Sequence, residues 1–466
     1  MENTNRKLKL NTKNTIKIGF AFFGILMLWQ VYNTYCPIIL EAMLKSLNVQ
    51  KTNYIVGVIM AFDNLFAIII MPIIGKLSDR TNTKWGKRMP YILIGSLLTC
   101  IVFPFIALMC MLNSLVGVII FMMLFLIIMQ AYRSPAVALM PDVTPKPLRS
   151  AANGIINLIG YLGGVFVTLL GFISFFKLNK ESTLIEIQAK VIWPFIICTI
   201  ILIVVLIYMV FAIKENKMIE ETKDDVEYGE TLSENLESTG ENNALSKSDF
   251  KNFIIILIAI FIWFMAFNSF ETFGSLFCKD ILNDSNLYSQ MATFLSVSSI
   301  LSFILFSTLS NKIGRKSSIL IGLFALIIGL ISVAIVSLAI KFPTTGVGSW
   351  CYFYYAMAII MGFGWALVNI NSFPMIVEYS NKDNIGKFTS YYYVASMLAQ
   401  SLTPILVGLF MDFMGIGKNV LFIYASALMI IALIIFTFVK EKISVKERIN
   451  QYKKKSVLES LGDIDN

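Results

Sequence analysis

Histidine is missing from all 466 residues, and charge is scarce, with Asp, Glu, Lys and Arg making up 14% of the chain. Without imidazole there is no Ser/His/Asp triad, no imidazole metal site and no histidine proton relay. A soluble globule with 57% hydrophobic residues would lack the polar groups to cover its surface, since soluble chains carry about 25% charged residues. The six cysteines (Cys36, Cys100, Cys110, Cys198, Cys278 and Cys351) stand singly with no CxxC pair. They read as filler of apolar interiors rather than as disulfides or metal ligands. What is left is a polytopic membrane protein, and no cofactor or metal is expected.

A helix needs about 20 apolar residues to cross the hydrocarbon. The longest stretch free of charge, Met89 to Tyr132, has 44 residues. As one helix it would reach roughly 66 Å, so it must fold as a hairpin, turning at Asn113 and Ser114. Divided in this way, the chain offers twelve spans: Ile18 to Leu40, Asn53 to Gly75, Met89 to Leu112, Leu115 to Met140, Ala151 to Phe176, Val191 to Ile213, Asn252 to Cys278, Leu287 to Ser310, Ser317 to Ile340, Cys351 to Val377, Phe388 to Met411 and Asn419 to Val439. Basic loops stay in the cytoplasm. With both termini inside, the cytoplasmic segments hold 29 Lys and Arg and the outer loops 8. The first run has no small-residue cleavage site after it, which suits a retained span.

Between spans six and seven, Lys214 to Asp249 carries eleven acidic and four basic residues, the composition of a solvated linker. It suggests a six-span bundle over 1–213, a cytoplasmic linker over 214–250, a second bundle over 251–440 and a basic tail over 441–466. Three echoes link the bundles in order: Tyr32 to Tyr35 with Phe267 to Phe270, the LSDRTNTKWGKRMPYILIG segment from Leu77 with LSNKIGRKSSILIG from Leu309, and Pro135 with Pro374. Their offsets are 235, 232 and 239 residues, as a duplicated unit requires. The expected fold is therefore an all-α integral membrane protein of twelve transmembrane helices in two six-helix pseudo-repeats. Such repeats are the architecture of rocking-bundle transporters, whose site lies between the halves near mid-membrane.

The loop from Gly75 to Arg88, with SDRT, then Trp85-Gly86, then Lys87-Arg88 before Pro90-Tyr91, resembles the signature between spans two and three of the major facilitator superfamily. Its narrower form is similar to the glycoside-pentoside-hexuronide:cation symporters and the sucrose-carrier-like branch. The segments Arg133 to Asp142, Val143 to Asn153, and Asn268 to Thr272 resemble that branch too. The resemblance implies secondary transport of a sugar. The chain also departs from it. Plant sucrose carriers place an Arg two residues after the span-four Pro, where this chain has Val137. Melibiose-type carriers hold Na+ with paired carboxylates on span two and one on span four, where this chain has Asp63 alone and Arg133, which weighs against that Na+ site and toward H+.

Asp79 ends a helix beside Arg80, Lys87 and Arg88. A carboxylate there can pair with guanidinium groups and latch one half to the other, a gating role that extends to Asp142 and Arg149. The competing reading is that the basic residues only fix topology. Three formal charges lie well inside spans: Asp63, Arg133 and Glu271. Ionisable groups at that depth cost several kcal/mol unless they face a cavity or a partner. Three readings remain open for Asp63: proton coupling as its cationic neighbour moves, a static pair with Arg133, or a metal-ion ligand. Helical stripes add Trp263, Phe267 and Glu271 with Asn268 alongside, Trp29 and Asn33 with Gln30, Gln130, and Trp365 with Asn369 and Phe373. Amides and Trp rings suit the hydroxyls and C–H faces of a sugar; the same residues also serve as interfacial anchors and helix contacts.

The sequence thus points to a symporter, not an enzyme, importing a small glycoside or oligosaccharide of sucrose or maltose type. The alternative is an exporter or antiporter of small apolar compounds, which would want a greasier cavity. A monomer in the cell membrane with cytoplasmic termini is expected, with the bilayer, the sugar and a cation as partners and no nucleic acid. Gly160, Gly163, Gly164 and Gly171 in span five mark close helix packing, Pro135, Pro374 and Pro404 mark kinks, and the tail from Lys440 to Lys455 suits the anionic inner leaflet.

Overall fold

The computed structural model describes residues 8–237, 247–380 and 385–441; the basic tail beyond Glu441 lies outside them. Thirteen α-helices are found among these residues: α1 Thr12–Ser46, α2 Thr52–Arg80, α3 Met89–Met111, α4 Leu115–Asp142, α5 Arg149–Leu169, α6 Leu184–Ala212, α7 Glu215–Glu237, α8 Lys247–Asp280, α9 Asn286–Ile313, α10 Arg315–Ala339, α11 Cys351–Val377, α12 Ile385–Phe413 and α13 Val420–Thr437. Eleven helices are long and apolar enough to cross a membrane among the described residues. The helix α9, 28 residues long, takes the place of the eighth crossing. The chain is a multi-pass membrane protein.

Most helices run past the apolar segments that mark them. The helix α1 starts at Thr12 rather than Ile18, because Asn11 caps it by accepting the Asn14 N–H at 3.1 Å. Ser114 caps α4 through the Gly117 N–H at 3.2 Å, which explains why the uncharged stretch turns there. Span five is shorter than expected: α5 ends at Leu169 and single 3-10 turns carry the chain through Leu170–Phe172 and Ser174–Phe176.

Packing repeats between the two groups of six helices. In the first, α1 packs on α5 and α6, α3 on α4 and α6, and α2 on α4. In the second, α8 packs on α12 and α13, α10 on α11 and α13, and α9 on α11, which is the same set of pairings. The groups meet through α2 with α12, α5 with α9, and α1 with α8. Exchanging the groups maps these three contacts onto themselves, as a two-fold pseudo-symmetric pair of bundles demands.

Glycines set the closest approaches. A Cβ on Gly163 would lie 2.2 Å from the Phe23 carbonyl oxygen of α1, and one on Gly160 would lie 2.9 Å from Leu26, whereas Gly164 faces open space. The tight face of α5 is therefore Gly160 with Gly163, and Gly164 takes no part in the close packing expected of it. Between α10 and α11, a Cβ on Gly364 would come within 2.5 Å of the Gly322 carbonyl oxygen. Because the obstacle is backbone, Gly364→Leu is expected to cost about 1–3 kcal/mol, seen as a lower thermal-unfolding midpoint in detergent. An unchanged midpoint would mean these helices do not pack this closely.

Candidate functional site

Two clusters bring most of the expected residues together. Near the middle of α2 and α4, Gln130 of α4 donates through Nε2 to Asp63 Oδ1 of α2 at 3.0 Å. The Arg133 guanidinium, one turn further along α4, lies 4.7 Å from the Trp29 ring centroid on α1. Arg133 and Trp29 both act on the Asp63 carboxylate. Asp63 thus takes its hydrogen bond from an amide, while Arg133 stacks on an aromatic face, an arrangement favourable for guanidinium. No direct Asp63 to Arg133 contact is found among the described residues, although the two charges act on each other. Gln30 donates to Thr34 on its own helix at 3.4 Å, and Asn33 is half-buried on the same helix.

Across the interface, Glu271 of α8 accepts a long 3.5 Å contact from Asn268 Nδ2. Its charge and that of Asp63 act on each other, so the two carboxylates come from opposite halves yet share one region. Trp365 of α11 stacks on Phe267 of α8 with centroids 3.7 Å apart and planes 5° from parallel. Asn369 returns its amide to the Trp365 carbonyl at 2.8 Å. Trp263 leaves this group. It is fully buried, edge-on to Phe436 of α13 at 5.8 Å, in the interior of its own bundle. The stripe from Trp263 to Glu271 fails because each four-residue step turns about 40° past a full circle, enough over two steps to carry its ends onto different neighbours.

Two tyrosines join the site that sequence alone gave no reason to single out. Tyr161 of α5 lies near Glu271, and Tyr393 of α12 near Arg133, each across the halves.

The second cluster lies at the face that carries the termini. Arg88 donates through Nε to Asp142 Oδ2 at 2.9 Å, through Nη1 to Ser78 Oγ, and through Nη2 to Asp79 Oδ1. Lys87 reaches Asp142 at 3.3 Å. Burial by itself would lower the Arg88 pKa, but the bonds to Asp142 and Asp79 outweigh it and raise the guanidinium above its ordinary value. Arg80 is exposed. Arg149 donates to the Thr144 and Pro141 carbonyls, both at 3.1 Å, and lies 3.7 Å from Glu230 of α7. Asp79, Arg88 and Asp142 all belong to one bundle, so in this arrangement they tie α2, α3 and α4 together rather than joining the halves.

The acidic linker is not simply solvated. Glu215, near its start, is buried, and its carboxylate accepts the backbone N–H groups of Lys87 at 2.9 Å, Arg88 at 2.9 Å and Met89 at 2.8 Å. Those are the donors that the start of α3 leaves unpaired. Asn216 donates to the Thr83 and Lys84 carbonyls at 3.1 and 3.0 Å. The loop admits this carboxylate because Gly86 has φ +109°, and a Cβ there would overlap Glu215. The second bundle repeats the device, with Glu441 accepting the Lys316 N–H at the start of α10 and Arg315 paired with Glu378.

A pair of six-helix bundles with polar groups buried at their interface defines a membrane transporter. The sequence profile of the Major Facilitator Superfamily matches residues 18–381 and 327–462, and the chain belongs to that superfamily. A lactose permease of Lactobacillus helveticus is 34% identical over 83 residues, a segment that spans 17% of this chain and 12% of the permease. Among solved structures, the D-xylose-proton symporter superposes with a TM-score of 0.67 at 14% identity, over 92% of this chain and 98% of its own. The xylose transporter XylE from E. coli in an inward open conformation gives 0.64 at 14% identity over 94% and 99%. The nucleoside transporter NupG gives 0.57 at 16% identity over 92% and 100%. These similarities establish the fold.

The termini-face cluster has unequal supports. The Asp79 side chain is 59% exposed, against 19% for Asp142. Asp79→Asn is expected to cost under about 1 kcal/mol of stability, and Asp142→Asn about 1–3 kcal/mol. Thermal unfolding of both variants checks the order; equal losses would contradict it.

Proposed function

We propose that the chain imports a small glycoside or oligosaccharide by cation symport, with H+ as the coupling ion, through alternating access between the two bundles. One observation carries the proposal. Asp63 and Glu271, one from each half, act on each other while Arg133 acts on Asp63, so with both acids ionised the group holds one more negative charge than positive. Buried charge without a partner is costly, and a proton taken up with the substrate restores the balance. Because Arg133 and Asp63 sit on one bundle and Glu271 on the other, rocking alters how strongly the acids feel each other. That ties proton occupancy to conformation.

The side chains brought to this region suit a polar, ring-shaped substrate. Trp29 and the Phe267 and Trp365 stack supply aromatic faces, while Asn33, Gln130, Asn268 and Asn369 supply amides. The likeness in loop signature to the glycoside-pentoside-hexuronide:cation symporters and the sucrose-carrier-like branch supports the same substrate class, as does the partial match to a lactose permease. The Lys and Arg distribution supports cytoplasmic termini in the cell membrane, and a monomer contains the whole site.

Uptake of labelled sucrose, maltose and lactose into proteoliposomes, with pH and Na+ gradients imposed separately, tests the proposal; drive by Na+ alone would overturn the proton assignment. Asp63→Asn and Glu271→Gln are each expected to retain sugar exchange while losing accumulation against a gradient, because an amide cannot carry the proton. Normal uphill uptake by both would remove them from coupling. Asn268→Leu is expected to weaken sugar binding roughly ten- to a hundredfold, and single-deoxy analogues should bind the parent protein more weakly. Affinity that ignores every hydroxyl but rises with apolar bulk would replace the sugar by an apolar cargo.

A further inference from the structure

The face opposite the termini is held by charges that the site around Asp63 does not use. Glu41, near the end of α1, is fully buried. Its carboxylate meets Lys45 of its own helix at 2.7 Å, Lys279 of α8 at 2.8 Å, and Lys418, which lies between α12 and α13. Asp280 of α8 meets Lys279 at 2.9 Å, Lys418, and Lys45 at 3.6 Å. Lys279 and Lys418 are only 4% and 6% exposed, so solvent screens these pairs weakly.

A second tie lies beside the first. The helix α2 is preceded by Lys51, which has φ 59° and supplies no side-chain cap. The carboxylate of Asp412, from α12 of the other half, takes that place: it accepts the Tyr54 N–H at 2.8 Å and an Asn53 Nδ2–H at 2.6 Å.

We propose that Glu41 is the pivot of a reversible latch that shuts this face, with Asp412 as its second catch. The proposal rests on the alternating-access reading above and adds to it the residues that control one gate. The distribution of partners is what makes the latch reversible. When the halves part, Glu41 keeps Lys45, and Asp280 keeps Lys279 and Lys418, because those three lie in the same half. No ion of this cluster loses every partner, so its opening costs the difference between two sets of partners rather than the full desolvation of a charge; the Lys177 and Asp284 pair, 2.9 Å across the halves, parts as well.

Three cations against two carboxylates also rank the residues. Removing Glu41 leaves Lys45, Lys279 and Lys418 around Asp280 alone and turns attraction across the interface into repulsion. Removing Lys418 leaves Glu41 still paired with Lys279 and loosens the latch less. Removing the Asp412 charge frees the start of α2 without touching the lysines.

Distance measurement between nitroxide labels at Lys180 and Met414, exposed positions at this face on opposite halves, tests the latch in a Cys351→Ala background. It needs no transport activity. Glu41→Gln is expected to raise the ratio of long to short distances about tenfold or more, with smaller rises for Lys418→Met and Asp412→Asn. If Glu41→Gln does not give monodisperse protein, the other two variants decide the matter in the same direction. A parent that samples two distances, with all obtainable variants distributed as the parent is, overturns the latch alone. A parent that holds one distance with sucrose, maltose or lactose and at acid and alkaline pH overturns alternating access together with it.

Discussion

A backbone N–H left without an acceptor in a dry environment costs free energy on the scale of a lost hydrogen bond, and every helix start exposes several. Much of the long-range organisation of this transporter follows from how those donors are met. The helices α1, α4 and α6 are capped by their own neighbours, Asn11, Ser114 and Thr183. The helices α2, α3 and α10 borrow carboxylates from distant parts of the chain: Asp412, Glu215 and Glu441. The borrowed caps at α3 and α10 act within a bundle and stiffen it, while the one at α2 acts between bundles and joins them. The same chemistry thus makes rigid bodies in one place and a separable seam in another.

Rigid bundles and a separable seam are what alternating access requires of a duplicated fold. Within each bundle the pairings repeat one for one, and small residues such as Gly322 and Gly364 bring backbones into contact that a side chain would forbid. Between bundles the contacts are fewer in kind: α2 with α12, α5 with α9, and α1 with α8. Asp63 and Glu271 lie beside this seam. Asp63 is held by Gln130 within its bundle, whereas among the described residues Glu271 has a long contact to Asn268, so the two carboxylates differ in how firmly they are held.

The helices themselves were legible because each is written locally. Charge-free runs placed the crossings, the Asn113 and Ser114 turn was found from length alone, and the constant offset between LSDR and LSNK announced the duplication. Where the expectation slipped, a local rule was overridden. Spacing put Trp263 on the stripe of Phe267 and Glu271, but helical drift and the neighbour Phe436 drew it into the bundle interior. Acidity made Lys214 to Asp249 look solvated, yet Glu215 is needed by the unpaired donors of α3.

Hydropathy and the charge census therefore determined immersion in the membrane, the succession of crossings and the presence of two related halves, since all three are properties read along one line. Which charges meet is a property of packing. Glu41 finds Lys418 across 377 positions, Asn53 finds Asp412 across 359, and Glu215 finds Met89 across 126. No spacing rule links residues so far apart; only the docking of whole helices brings them within hydrogen-bonding distance. The tertiary structure alone decided that Asp79, Arg88 and Asp142 bind one bundle together, and that the bonds between bundles at Glu41 and Asp412 lie on the opposite face.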